Sequence, residues 1–94
     1  MKLELMTVTF RLQGCRSLKE KRQRLNGLRE RFGRAPNVAV CESDYQDSLQ
    51  RAEWSFVAAA GSGAVAERVL TEILTSIQLS VDAELVDVQR EDLL

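Results

Sequence analysis

Between Arg16 and Arg34 the run RSLKEKRQRLNGLRERFGR carries eight of the chain's thirteen Lys and Arg residues. Cations at this density bind anions. Guanidinium groups present planar donor forks to phosphate or carboxylate, and ammonium groups act as compact point charges. The groups that break bonds are scarcer. No histidine occurs anywhere in the 94 residues, so the usual serine and cysteine hydrolase constellations have no base. A zinc centre would have to be built from two cysteines, Cys15 and Cys41, that lack the spacing of a metal or redox motif. Both thiols are expected to be free, with Cys41 partly buried on a strand. A catalyst here would rest on Lys, Asp or Glu alone. The expectation is a non-enzymatic protein with no catalytic residues, no cofactor and no metal.

Charge is distributed very unevenly. Residues 1–35 hold ten cations against three Glu, a net of +7, and residues 36–94 hold three Arg against eleven Asp and Glu, a net of -8, so the overall -1 conceals a strong asymmetry. Ser17 and Glu20 form a capping box that starts a helix. Cations in its first turns oppose the helix macrodipole unless an anion lies beside them. Two sources of that anion are open. One is internal: Glu42, Asp44 and Asp47, with Arg51, form a counter-ion cluster. The other is external, a phosphate backbone or an acidic protein surface met by Arg16, Lys19, Lys21, Arg22, Arg24, Arg31 and Arg34. A helical wheel sets Lys21, Arg22 and Arg29 beside the apolar sector and turns Arg24, Arg31 and Arg34 toward solvent. Both sources can operate together.

The elements that must position these groups follow from hydrophobic period. Leu3 to Leu12 alternates, with Met6, Val8, Phe10 and Leu12 on one side and Thr7, Thr9 and Arg11 on the other, a half-buried strand. From Ser17 to about Gly33, Leu18, Leu25, Leu28 and Phe32 share one helical sector. NVAVCES reads as a second strand, SDYQDSLQ as a connection and RAEWSFVAAA as a third strand ended by GSG. Ala66, Val69, Leu70, Ile73 and Ile77 mark a second helix from Ala64, and VDAELVDVQ a fourth strand. The order β-α-β-β-α-β predicts an α+β ferredoxin-like plait over residues 1–94 as one domain: an antiparallel sheet, spatial order 4-1-3-2, with two helices on one face. That topology brings SLKEKR and ESDYQDSLQR to the same end.

WSFV on the third strand is similar to the aromatic core of RNA-recognition sheets. Alternation with Arg51, Glu53 and Ser55 instead turns Trp54 and Phe56 to the helix-covered side, into the core. The open face then shows Leu3, Leu5, Thr7, Thr9, Ser55, Val57 and Ala59, which suits contact with a second copy, and a homodimer is expected. GSG before the second helix lacks the Lys-Ser/Thr of a phosphate loop and reads as a turn and cap. The acidic trio lacks calcium-loop spacing. The apolar run FVAAAGSGAVA falls short of a membrane span, no export signal marks the N-terminus, and a cytoplasmic location without membrane contact is expected.

SLKEKR, from Ser17 to Arg22, and VCESDYQDSLQRA, from Val40 to Ala52, together resemble the YlxP-like family of small bacterial proteins of unknown function, over essentially the full length. The resemblance implies a ferredoxin-like fold. Members are often encoded beside translation initiation factor 2 and ribosome-binding factor A, which implies ribosomal RNA or a ribosomal particle as partner. Gln13 stands where relatives often place proline, and Leu49 where a tryptophan commonly precedes Gln50-Arg51-Ala52. The leading functional expectation is therefore docking of the basic helix on RNA; the alternative is an oligomeric protein-interaction module whose basic helix pairs with acidic protein surfaces.

Overall fold

Buried and solvent-facing side chains alternate along β1, Lys2–Arg11, which pairs on both sides within the sheet in a computed structural model that describes residues 1–94. Met6, Val8, Phe10 and Leu12 are all 0% exposed. Around β1 the chain adds α1 (Leu18–Arg24), α2 (Leu28–Phe32), β2 (Val38–Asp44), β3 (Arg51–Ala60), α3 (Gly63–Ser80) and β4 (Glu84–Asp92). The four strands form one antiparallel sheet in the order β2-β3-β1-β4, the expected plait read from its other edge. Helices cover one face. Ala66, Leu70, Ile73 and Ile77 of α3 bury at helical spacing against the inner side chains of β1 and β3, among them Ala52, Trp54, Phe56 and Ala58. Phe32 meets Phe56 edge-on with ring centroids 5.9 Å apart. No helix is long and apolar enough to cross a membrane.

Four expectations are corrected. The first helix does not run unbroken to Gly33. Gly27 sits at φ 94°, in the left-handed region, and separates α1 from α2; glycine tolerates that conformation without a Cβ penalty, and the apolar sector continues across the break. Leu18, placed by the wheel in the apolar sector, is 49% exposed, because the first turn of α1 projects past the sheet. The last strand starts three residues later than expected. Val81 caps α3, its N–H donating to Ile77 O at 3.1 Å, and Arg90, Glu91 and Asp92 extend the strand by backbone pairing with β1 regardless of their charge. Cys15 and Cys41 are both free, but Cys15 is the buried one and Cys41, on the open side of edge strand β2, is exposed.

Candidate functional site

The basic run and the β2–β3 connection meet at one end of the sheet, as the topology requires. Ser17 caps α1, its Oγ accepting from Glu20 N at 3.0 Å, while Glu20 Oε1 accepts from Arg16 N at 3.5 Å. This is the expected capping box. One turn on, Lys21 occupies the inward stripe it shares with Leu25 and Leu28. It is 0% exposed, and its Nζ donates to Tyr45 O at 2.7 Å and Ser48 O at 2.6 Å. Those carbonyls belong to a tight turn in which Ser48 N donates to Tyr45 O at 3.0 Å and Tyr45 takes φ 62°. Here α1 faces a turn, not the sheet, so the buried position needs a donor and a leucine would supply none. Burial pushes the Lys21 ammonium below its ordinary value, and the carboxylate of Glu42 offsets that only in part.

Glu42 is the counter-ion. It continues the inward set of Val38 and Val40 on β2, its side chain is 7% exposed, its Oε1 accepts from Arg22 Nη1 at 2.9 Å, and its Oε2 lies 3.8 Å from Lys21 Nζ. The other members of the expected cluster do not join it. A register shift between Glu42 and Asp44 turns the strand, and Asp44 accepts from the N–H of its neighbour Tyr45 at 2.7 Å. Asp47 is exposed and forms no ion pair with the basic helix; its charge reaches Lys21 only from a distance. Arg51 lays its guanidinium over the Tyr45 ring at 5.6 Å.

The cations expected to meet a partner divide into two groups. Lys21 is withdrawn into the interior. Arg24, placed toward solvent by the wheel, is instead held at the end of the molecule: its side chain is 16% exposed and donates to Asp82 O at 2.8 Å and Gln13 O at 2.9 Å, with Glu20 and Asp82 carboxylates at 3.5 Å. Arg31 is exposed but tethered to α3 through Ser80 Oγ at 2.6 Å and Ser76 Oγ at 3.2 Å. Arg22 pairs with Glu42 while its side chain stays 51% exposed. Arg16, Lys19 and Arg34 are exposed with no ion pair. Arg29, not among the expected contacts, is exposed and stacks over Trp54 at 5.6 Å. A second structural cation was missed: Arg90 holds β4 to the rest, donating to buried Glu4 Oε1 at 3.0 Å, Thr71 Oγ1 at 2.9 Å and Glu67 O at 2.8 Å. Its only sequence signal was a glutamate on the inward side of β1.

A polar cavity of about 460 Å³ lies where α1 gives way to α2, with Arg22, Asn26, Arg29 and Glu30 around it and Glu42 and Trp54 beneath. No three His, Cys, Asp or Glu side chains gather to hold a metal ion. The arrangement presents exposed cations at its surface and polar side chains around the cavity.

Comparison with known proteins places the chain in a family without adding a function. The model of the family described as Protein of unknown function (DUF503) matches residues 3–90, and the chain belongs to that family. The solved structure of protein YJCS, from structural genomics, superposes with a TM-score of 0.64 at 11% identity, covering 98% of this chain and 99% of that one; the likeness is one of fold. A refined crystal structure of At3g17210 from Arabidopsis thaliana aligns with a TM-score of 0.45 at 14% identity over 98% of this chain and 93% of that one. No curated protein sequence matches the chain.

Proposed function

We propose that this member of the DUF503 family is a non-enzymatic cytoplasmic protein that docks the outer surface of α1 and α2 on structured RNA, ribosomal RNA or a ribosomal particle being the target. One observation carries the reading. After the interior has taken Lys21 and Arg24, six cations of the run, Arg16, Lys19, Arg22, Arg29, Arg31 and Arg34, remain exposed. The acidic residues within the run are Glu20, which serves the cap and Arg24, and Glu30. An exposed surplus of this kind is not needed to stabilise the helices, whose first turns it disfavours. It complements a phosphate backbone. The resemblance of SLKEKR to YlxP-like proteins, encoded beside translation factors, supports the same direction.

The test is binding of the full chain to isolated ribosomal subunits and to ribosomal RNA fragments across a salt series. With about five phosphates neutralised, affinity should fall roughly 10²–10³-fold between 50 and 200 mM salt. Charge reversal at Arg16, Lys19 and Arg34, which contact nothing internal, should abolish binding and leave the far-UV circular dichroism unchanged. Absence of binding at low salt, or binding indifferent to the triple reversal, overturns the proposal.

A second reading, self-association, draws support from the uncovered sheet face. Register pairs Leu3 with Ala59 and Leu5 with Val57, and Val57 also with Ala39 of β2, so five apolar side chains lie side by side on the face that no helix covers. A monomer's wet sheet face would ordinarily be polar there. The two readings use different surfaces.

A further inference from the structure

The two edges of the sheet are not alike. β4 carries Asp87, Glu91 and Asp92 along its length, and a register shift interrupts its pairing with β1. Charges and bulges of this kind keep an edge strand from pairing with another chain. β2, the opposite edge, has neither guard on the run Val38 to Cys41. Pro36 lies ahead of that run, and the register shift in β2 comes only after Glu42, whose charge is directed inward to Lys21 and Arg22.

The backbone groups of this edge can be accounted for one by one. Asn37 O accepts from Ala59 N at 2.9 Å, which sets the phase of the antiparallel ladder. Asn37, Ala39 and Cys41 therefore turn their backbone groups toward β3, and Val38, Val40 and Glu42 turn theirs away from the sheet. Two of the outward groups are used: Val38 N–H donates to Ala35 O at 3.3 Å, and Glu42 O accepts from Gln46 Nε2 at 3.2 Å. Val38 O, Val40 N–H, Val40 O and Glu42 N–H have no partner within the chain. That set is self-complementary. When a second β2 lies antiparallel with Val40 opposite Val40, each Val40 N–H meets the other Val40 O, and each Glu42 N–H meets the other Val38 O. Every free group is then paired.

The charges agree with that alignment. It lays the segment before β2 in one copy beside the end of β2 in the other. Arg34, exposed with no ion pair, then approaches the partner's Asp44 and the partner's Asp47, both exposed and bound to no cation. We propose that the β2 edge is the site at which a second copy of this chain adds, antiparallel and centred on Val40, so that the two sheets join into one. The pairing uses neither the open sheet face nor Arg16 and Lys19, and it stands apart from both readings above.

This register sets Cys41 opposite the partner's Ala39 in a pair without backbone bonds between them, where Cα atoms approach to about 4.5 Å, within disulfide reach. Both residues are exposed on the open side. Under a glutathione redox couple, Ala39→Cys should therefore yield a covalent dimer on non-reducing electrophoresis. The wild type, and Ala39→Cys combined with Cys41→Ser, should not, because like positions lie on the diagonal at about 7–8 Å. Sedimentation equilibrium gives a second readout. Val40→Pro removes an outward N–H and no bond to β3, and should weaken dimerisation at least about tenfold, while Val57→Lys leaves it unchanged. No covalent dimer from Ala39→Cys, or one formed equally by the two controls, overturns the proposal even where Val40→Pro fails to fold. So does a wild-type chain that stays monomeric at high micromolar concentration. A dimer that survives Val40→Pro and is lost in Val57→Lys overturns the edge and assigns self-association to the open face.

Discussion

Replacing Lys21 by Met keeps the length of the buried stem and removes only the ammonium. In the wild type that ammonium makes two short charge-assisted bonds, to Tyr45 O at 2.7 Å and Ser48 O at 2.6 Å. At about 1.5–3 kcal/mol each, their loss is worth roughly 3–6 kcal/mol gross. Against this stands the cost of burying the charge, which Met escapes; the lowered pKa of Lys21 shows that burial outweighs the attraction of Glu42. The balance should leave Lys21→Met about 2–3 kcal/mol less stable, a fall in Tm of roughly 10–20 °C for a domain of this size. Urea unfolding followed by Trp54 fluorescence gives the magnitude. Hydrogen exchange gives the location: amides of the 45–50 turn should lose more protection than those of β1 and β3. A variant within about 0.5 kcal/mol of wild type, or protection lost evenly across the sheet, refutes the reasoning. The pH dependence adds a signed check. Because the folded value is lowered, the penalty of burying charged Lys21 is fully present below that value. Between it and the ordinary lysine range the unfolded chain holds more protons, so stability should rise with pH through that alkaline window, and Lys21→Met should lack the rise.

Other consequences are quickly checked. Gly27→Ala meets no atom, but it forces alanine to φ 94°, and should cost about 1–2 kcal/mol in chemical denaturation while leaving the secondary structure intact. Asp47→Ala should change stability by less than about 0.5 kcal/mol, since Asp47 forms no ion pair, whereas Glu42→Ala, which strands buried Lys21, should cost roughly 3 kcal/mol or more. If self-association uses the open sheet face, Val57→Lys should shift sedimentation toward the monomer without unfolding; a wild-type chain that sediments as a monomer at high micromolar concentration removes that reading.

The sheet could be anticipated because its signal is short-range and repetitive. Met6, Val8, Phe10 and Leu12 alternate with polar residues, and a period of two has one structural reading, so β1 and its inward face follow directly. The same parity turned Trp54 and Phe56 inward. What the pattern did not carry were events that leave it unbroken. Gly27 lies between Leu25 and Leu28, which keep one helical sector, so the wheel shows no interruption where the backbone makes one. At the chain's end, β4 is extended by backbone bonds to β1, and nothing in Arg90, Glu91 and Asp92 advertises pairing that side chains do not make.

The site was harder for a related reason. A helical wheel gives the direction of a side chain and says nothing of what lies opposite. Leu18 and Lys21 both border the inward sector, and composition alone favours burying the leucine. The outcome is reversed because α1 begins beyond the sheet, above a turn whose carbonyls point inward, and only a donor is stable there. Among the carboxylates the selection was nearer to view. Glu42 shares the parity of Val38 and Val40 and therefore had to point inward; Asp44 has that parity too, but the register shift between them releases it to its own turn. Burying Glu42 in turn holds Arg22 through one carboxylate oxygen and sets the other 3.8 Å from the Lys21 ammonium. Thus the pairing that quiets the inner cations is also what shapes the cavity, and the cations left outside, Arg16, Lys19 and Arg34, are those for which the fold has no internal use.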